Sequence, residues 1–121
     1  MSKMTKEEKQ ARIAHLREIA KAYEEGVDPE QIVKEYPALV ARYSIRNVFL
    51  ILAQRPSATE CAGFHDWKHV NRQVSKGAKG IAILVPMKGK DEDGEEGRLW
   101  FTWRYVFDIA DTEPVEGEVA A

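Results

Sequence analysis

The chain has 121 residues with 18 Lys/Arg, 20 Asp/Glu and one cysteine, the size of one domain whose core closes without metal or disulfide. A single cysteine excludes an intramolecular disulfide, no secretory leader pattern opens the sequence, and no apolar run is long enough to span a bilayer, so a cytoplasmic protein without membrane contact is expected. The formal net charge of −2 excludes a uniformly basic nucleic-acid binder.

Residues 5–25 are rich in Glu, Lys, Arg, Ala and Gln. Ile13, Leu16, Ile19, Ala20 and Tyr23 recur there at helical spacing and Gly26 is a natural stop, so an amphipathic helix is predicted. Asp28, Pro29 and Gln31 supply an N-cap, a first-turn proline and a capping-box partner for a short helix ending near Tyr36, which Pro37 interrupts. Residues 39–54 place Ile45, Val48, Phe49 and Leu52 on one side and Tyr43, Asn47, Leu50, Ile51 and Gln54 on another. That pattern predicts a central buried helix, beginning near Leu39 or at Ser44. Arg55-Pro56-Ser57 ends it, and residues 66–73 read as a brief helix leading into a basic turn. Residues 81–85 are a continuous apolar run typical of a covered strand. Residues 99–108 are a second strand rich in aromatic and β-branched side chains, with a solvated hairpin tip over 88–97 between the two. The expected fold is α+β, with N-terminal helices packed on a small antiparallel sheet. It divides into a helical segment 1–37, a core 38–112 and an acidic tail 113–121 expected to fray.

The near-neutral total conceals a sorted charge. Residues 42–90 hold nine Lys/Arg against two Asp/Glu, whereas residues 91–121 hold two against ten. A basic middle of this kind attracts a phosphate backbone, unless the acidic tail folds back on it. Within it, Lys76-Gly77-Ala78-Lys79-Gly80 puts two cations beside glycines that permit positive φ and leave amide N–H groups open. That chemistry suits a phosphate, and it equally describes a plain surface turn. Trp67 and Arg72 extend the group to an aromatic interleaved with cations, the chemistry of sequence-tolerant single-strand binding, while Trp67 also reads as a core anchor. On the second strand, Leu99, Phe101, Trp103, Tyr105 and Phe107 share one face, read as core. Trp100 and Arg104 share the other, where a base stack and a phosphate contact are open to them. Tyr43, Ser44 and Asn47 form a third unit, read either as a helix cap or as a ligand contact. Cys61, His65 and His69 are spaced by four like part of a zincin helix. However, Gly63 interrupts it, the usual glutamate base is absent and no further histidine follows, so no metal and no other cofactor is expected. No nucleophile elbow, Walker loop or carboxylate pair suggests catalysis.

Tyr43-Ser44-x-x-Asn47, Gln54-Arg55-Pro56-x-Ala58, Gly63-Phe64-x-x-Trp67, Arg72-x-Val74-x-Lys76-Gly77-x-Lys79-Gly80-Ile81 and Tyr105-Val106-Phe107-Asp108, taken in this order over roughly residues 38–112, resemble the N-terminal domain of ArdC-like antirestriction proteins. The resemblance implies a non-enzymatic single-stranded-DNA-binding domain of plasmids, phages and other mobile elements, active in protecting incoming DNA. Fuller members carry a following zincin-like peptidase domain, absent from this sequence. The chain departs from the family at Asp111, where a glutamine is usual, and at Ala78, where an acid is common. The site residues so implied are Tyr43, Ser44, Asn47, Trp67, Arg72, Lys76, Lys79, Trp100 and Arg104, with single-stranded DNA as partner. A protein-interaction module is the alternative, its acidic segments imitating DNA toward a restriction or mobilisation protein.

Overall fold

The computed structural model describes residues 3–89 and 97–115. Helix α1, Lys6–Glu25, is capped at Thr5, whose hydroxyl accepts from the Glu8 N–H at 3.0 Å while the Glu8 carboxylate accepts from the Thr5 N–H at 2.7 Å. Its Leu16 and Ala20 are buried, and Tyr23 meets Phe49 with ring centroids 5.8 Å apart. Helix α2, Pro29–Glu35, is capped by Asp28 through the Glu30 N–H. Gln31 does not complete a capping box there: its amide donates to Glu35 one turn on, at 2.7 Å.

Pro37 starts a helix rather than only ending one. Helix α3, Pro37–Arg42, precedes α4, Ile45–Gln54. Of the two starts expected for the helix ending at Gln54, the one at Ser44 holds for α4: Tyr43 is extended and the Ser44 hydroxyl accepts from the Asn47 N–H at 3.3 Å, which separates α3 from α4. Val48 to Leu52 are all buried, so α4 is the spine of the core, lying between α1 and the sheet.

Strands β1 (Cys61–Ala62), β3 (Ile81–Gly89) and β4 (Arg98–Asp108) form an antiparallel sheet in the order β1-β4-β3. Between β1 and β3 lie α5, Phe64–His69, and β2, Arg72–Val74, which pairs with β5, Thr112–Pro114, in a two-stranded sheet. The helix expected over 66–73 therefore starts earlier and stops at His69; Asn71, at φ +59, turns the chain out of it into a strand. Glu113, expected to begin a frayed tail, instead pairs with Gln73, while residues 116–121 and the tip 90–96 lie outside the described residues.

The core is one cluster joining Leu16, Ile32, Leu39, the α4 run, Cys61, Ile81, Ala82, Ile83 and Val106. Segment 1–37 thus shares its core with 38–112. The expected aromatic core face of β4 is only partly inside, since Leu99 and Tyr105 are exposed and Val106, from the other face, is buried. At the outer edge of β3, two side-chain amides of α4 stand in for a neighbouring strand. Asn47 donates to the Leu84 carbonyl at 2.8 Å and accepts from its N–H at 3.0 Å, and Gln54 does the same for Ala82 at 2.8 and 3.0 Å. These residues sit seven apart, two helical turns, so both amides face the strand.

Candidate nucleic-acid interface

Where α1, the α3–α4 junction and β3 meet, a groove of about 1010 Å³ opens. Its cations come in two pairs spaced by four residues: Arg17 and Lys21 on α1, Arg42 and Arg46 at the junction, against one carboxylate, Glu24. Arg17 and Lys21 each follow a buried residue, Leu16 and Ala20, so the stripe that docks α1 also sets its cations along the groove rim. The Arg17 guanidinium lies over Phe101, 5.0 Å from the ring centroid. Arg42 donates to Asp66 of α5 at 2.9 Å, whereas Lys21 and Arg46 enter no ion pair among the described residues. Leu50, Leu84, Val85 and Pro86 give the floor an apolar character. Four cations over an apolar and aromatic floor can hold a polyanion carrying flat apolar groups.

Of the residues singled out from sequence, the groove gathers Tyr43, Ser44 and Asn47. Each also holds the fold: the Tyr43 hydroxyl donates to the Cys61 carbonyl at 2.8 Å, Ser44 caps α4 and Asn47 binds β3. Burial pushes the Tyr43 phenol up to about 12, although Arg42 beside it pulls the other way.

The remaining candidates are dispersed. Trp67 is 3% exposed and its indole N–H donates to the Phe107 carbonyl at 2.9 Å, so of its two expected roles it takes the core anchor, fixing α5 on β4, and presents no ring face to a base for the stacking one. Arg72 is engaged as well: its guanidinium donates to the Thr112 hydroxyl at 2.7 Å and carbonyl at 3.1 Å, fastening β2 to β5. Trp100 is part-buried, its indole nitrogen enclosed and without a partner among the described residues. Arg104 is exposed on the same face of β4 as Trp100 but about 13 Å along the strand. Phe101, which lines the groove, stands on the opposite face.

Lys76 and Lys79 are exposed on their turn, in which the Ala78 N–H donates to the Ser75 carbonyl at 3.0 Å. Gly77 has the expected positive φ, +84, but Gly80 does not. A Cβ at Gly80 would lie 2.9 Å from the Tyr105 Cβ, so glycine is required there by close approach, not by backbone conformation.

Among the described residues no group of three His, Cys, Asp or Glu is arranged to hold a metal ion. Cys61 is buried beside Asp108, and its thiol is pushed up to about 12, first by burial and then by that carboxylate. Asp108 itself accepts from the N–H groups of Thr59, Glu60 and Ala110, which ties the loop before β1 to the end of β4. Asp111 pairs with Arg55. No helix among the described residues is long and apolar enough to cross a membrane. Residues 91–96 and 116–121, which carry most of the acidic charge invoked for a DNA-imitating surface, lie outside the described residues.

A family model described as the N-terminal domain of anti-restriction factor ArdC matches residues 9–116, which takes in most of α1 as well as the segment expected from the motifs. Comparison with curated protein sequences gives no match. Among solved structures, the metal-free crystal structure of the antirestriction ArdC protein from plasmid R388 superposes with a TM-score of 0.53 at 17% identity, over 86% of this chain and 42% of that one. The chain thus spans less than half the length of that protein, and the likeness extends to the fold.

Proposed function

We propose, because this chain belongs to the family of N-terminal domains of anti-restriction factor ArdC, that it binds single-stranded DNA with little sequence preference, as the binding part of a DNA-protecting antirestriction activity. The observation that carries this reading is the groove of α1, α4 and β3, with four cations to one carboxylate over an apolar floor. Arg46 and Lys21, held by no ion pair among the described residues, are the phosphate contacts; Arg42 and Arg17 flank them. Apart from Glu24, the polar groups lining the groove are cationic or neutral, so recognition runs through backbone charge and stacking rather than base edges. The domain acts by binding, with no catalytic step assigned to it.

The test is fluorescence anisotropy of a labelled oligo-dT strand across a salt series, with duplex DNA of equal length as competitor. The strand binds tightly at low salt, duplex fails to displace it, and Lys21→Glu with Arg46→Glu weakens binding while reducing the salt slope by roughly 0.7 per lost contact. Unchanged affinity and slope in that double variant would sink the groove assignment.

A further inference from the structure

Tyr105 is the exposed aromatic of β4, 51% accessible although its neighbours Val106 and Asp108 are buried. Its place follows from the ladder. Ala82 turns its N–H and carbonyl away from β4 toward Gln54, so Ala82 and Tyr105, directly opposite, form a pair of the close, non-hydrogen-bonded kind. Ala82 contributes only a methyl group and Gly80 no side chain, and the Tyr105 ring settles against the Gly80 backbone: a Cβ there would come within 3.0 Å of the ring. One side of the phenol is thereby fixed on the sheet and the other is left to solvent. Lys79 immediately precedes that glycine and Lys76 stands at the far side of the same turn, both exposed. By the alternation of β4, Tyr105 projects from the same face as Phe101, which lines the groove about 13 Å away along the strand.

We infer that Tyr105 is a nucleobase-stacking position, with Lys79 and Lys76 as its phosphate contacts, forming a second point of attachment for the strand bound in the groove. The inference rests on the single-strand reading and adds a residue to it. A half-exposed ring packed against Gly80, with Lys79 next to that glycine in the chain and Lys76 on the same turn, fits a base on its sugar-phosphate better than it fits an aliphatic or acidic partner. Stacking is sequence-tolerant, since every base presents a π-face. It also supplies the aromatic contact that buried Trp67 cannot.

The test uses the full chain and an oligo-dT strand carrying 5-iodouracil. On irradiation the strand becomes attached to Tyr105, which cleavage after Arg104 places at the head of its peptide. Attachment confined to groove residues such as Tyr43 or Phe101 overturns the stacking position and leaves single-strand binding standing. In anisotropy, Tyr105→Leu weakens binding roughly 5- to 150-fold, the span of one base stack, while Tyr105→Phe stays within about twofold. A folded Tyr105→Leu protein that binds like the parent overturns the inference alone. If the parent protein fails to bind the strand at low salt, the single-strand reading and the inference fall together. The cross-linking arm needs no variant, so loss of folding in Tyr105→Leu does not shield the inference.

Discussion

Replacing Asn47 probes whether α4 really substitutes for a strand along β3. In Asn47→Ala the Leu84 N–H and carbonyl lose their partners, at 3.0 and 2.8 Å. Each such bond is worth about 1 kcal/mol net, and a buried orphaned group costs about 1–3 kcal/mol; because this site opens on the groove, water offsets part of the loss. The expected destabilisation is about 1–3 kcal/mol, or roughly 4–12 °C in Tm for a domain of this size. Urea denaturation should show a lower midpoint with an unchanged slope. Asn47→Asp separates this account from simple loss of packing. Its carboxylate still accepts from the Leu84 N–H but faces the Leu84 carbonyl with a second acceptor, so at pH 7 it is less stable than Asn47→Ala. Protonation restores a donor, which raises the folded carboxyl above its unfolded value. The deficit therefore shrinks as the pH is lowered from 7 through the raised folded value and is fully recovered by the unfolded value near about 4. If Asn47→Ala moves the midpoint by less than about 0.3 kcal/mol, or Asn47→Asp is indifferent to pH, the amide does not hold the strand.

Trp67→Ala should cost about 3–5 kcal/mol, since it empties a core position and orphans the Phe107 carbonyl; Trp67→Phe should be milder, with single-strand affinity unchanged once the fraction folded is corrected for. Cys61 and Tyr43 are both pushed up to about 12, from ordinary values of 9.0 and 10.0, so the folded chain holds protons that the unfolded chain releases. Stability from these groups is complete below about pH 9 and falls as the pH rises toward 12; denaturation midpoints at pH 8 and 10.5 should show the decline, and Cys61→Ala should flatten it. By the same burial, native Cys61 should resist a thiol reagent at pH 8 and react only upon unfolding; rapid native labelling would contradict that. Gly77→Ala should cost about 1 kcal/mol because φ is +84 there, with nothing nearby to clash, a loss readable in urea melts.

The long elements were legible because their signal is local. Leu16, Ala20 and Tyr23 mark the inner face of α1, and the apolar run from Ile81 marks β3. What escaped depends on partners distant in the chain. Strand β2 exists because Arg72–Val74 meets Thr112–Pro114, and no local pattern distinguishes it from the end of a helix. Trp67 and Arg72 were rightly conspicuous as types, but their partners, Phe107 and Thr112, lie forty residues downstream and decide that both are engaged in the fold. The groove was missed for the same reason. Arg17 and Lys21 belong to a segment with balanced charge, and only the docking of α1 on α4 sets them opposite Arg42 and Arg46. Their spacing of four in each pair, adjoining a buried stripe or a helix cap, was the one local hint.

The amides on β3 also bear on how this molecule meets copies of itself. An uncovered sheet edge invites a strand from another chain to extend it, the route to domain exchange and fibre growth. The outward N–H groups of β3 belong to every second residue. At Ala82 and Leu84 they are taken by Gln54 and Asn47, at residue 86 proline has none to give, and Lys88 places a charge at the next position. A visiting strand thus meets two occupied rungs, one missing rung and a cation, so the edge that forms one wall of the basic groove is closed to backbone pairing while remaining open to a polyanion.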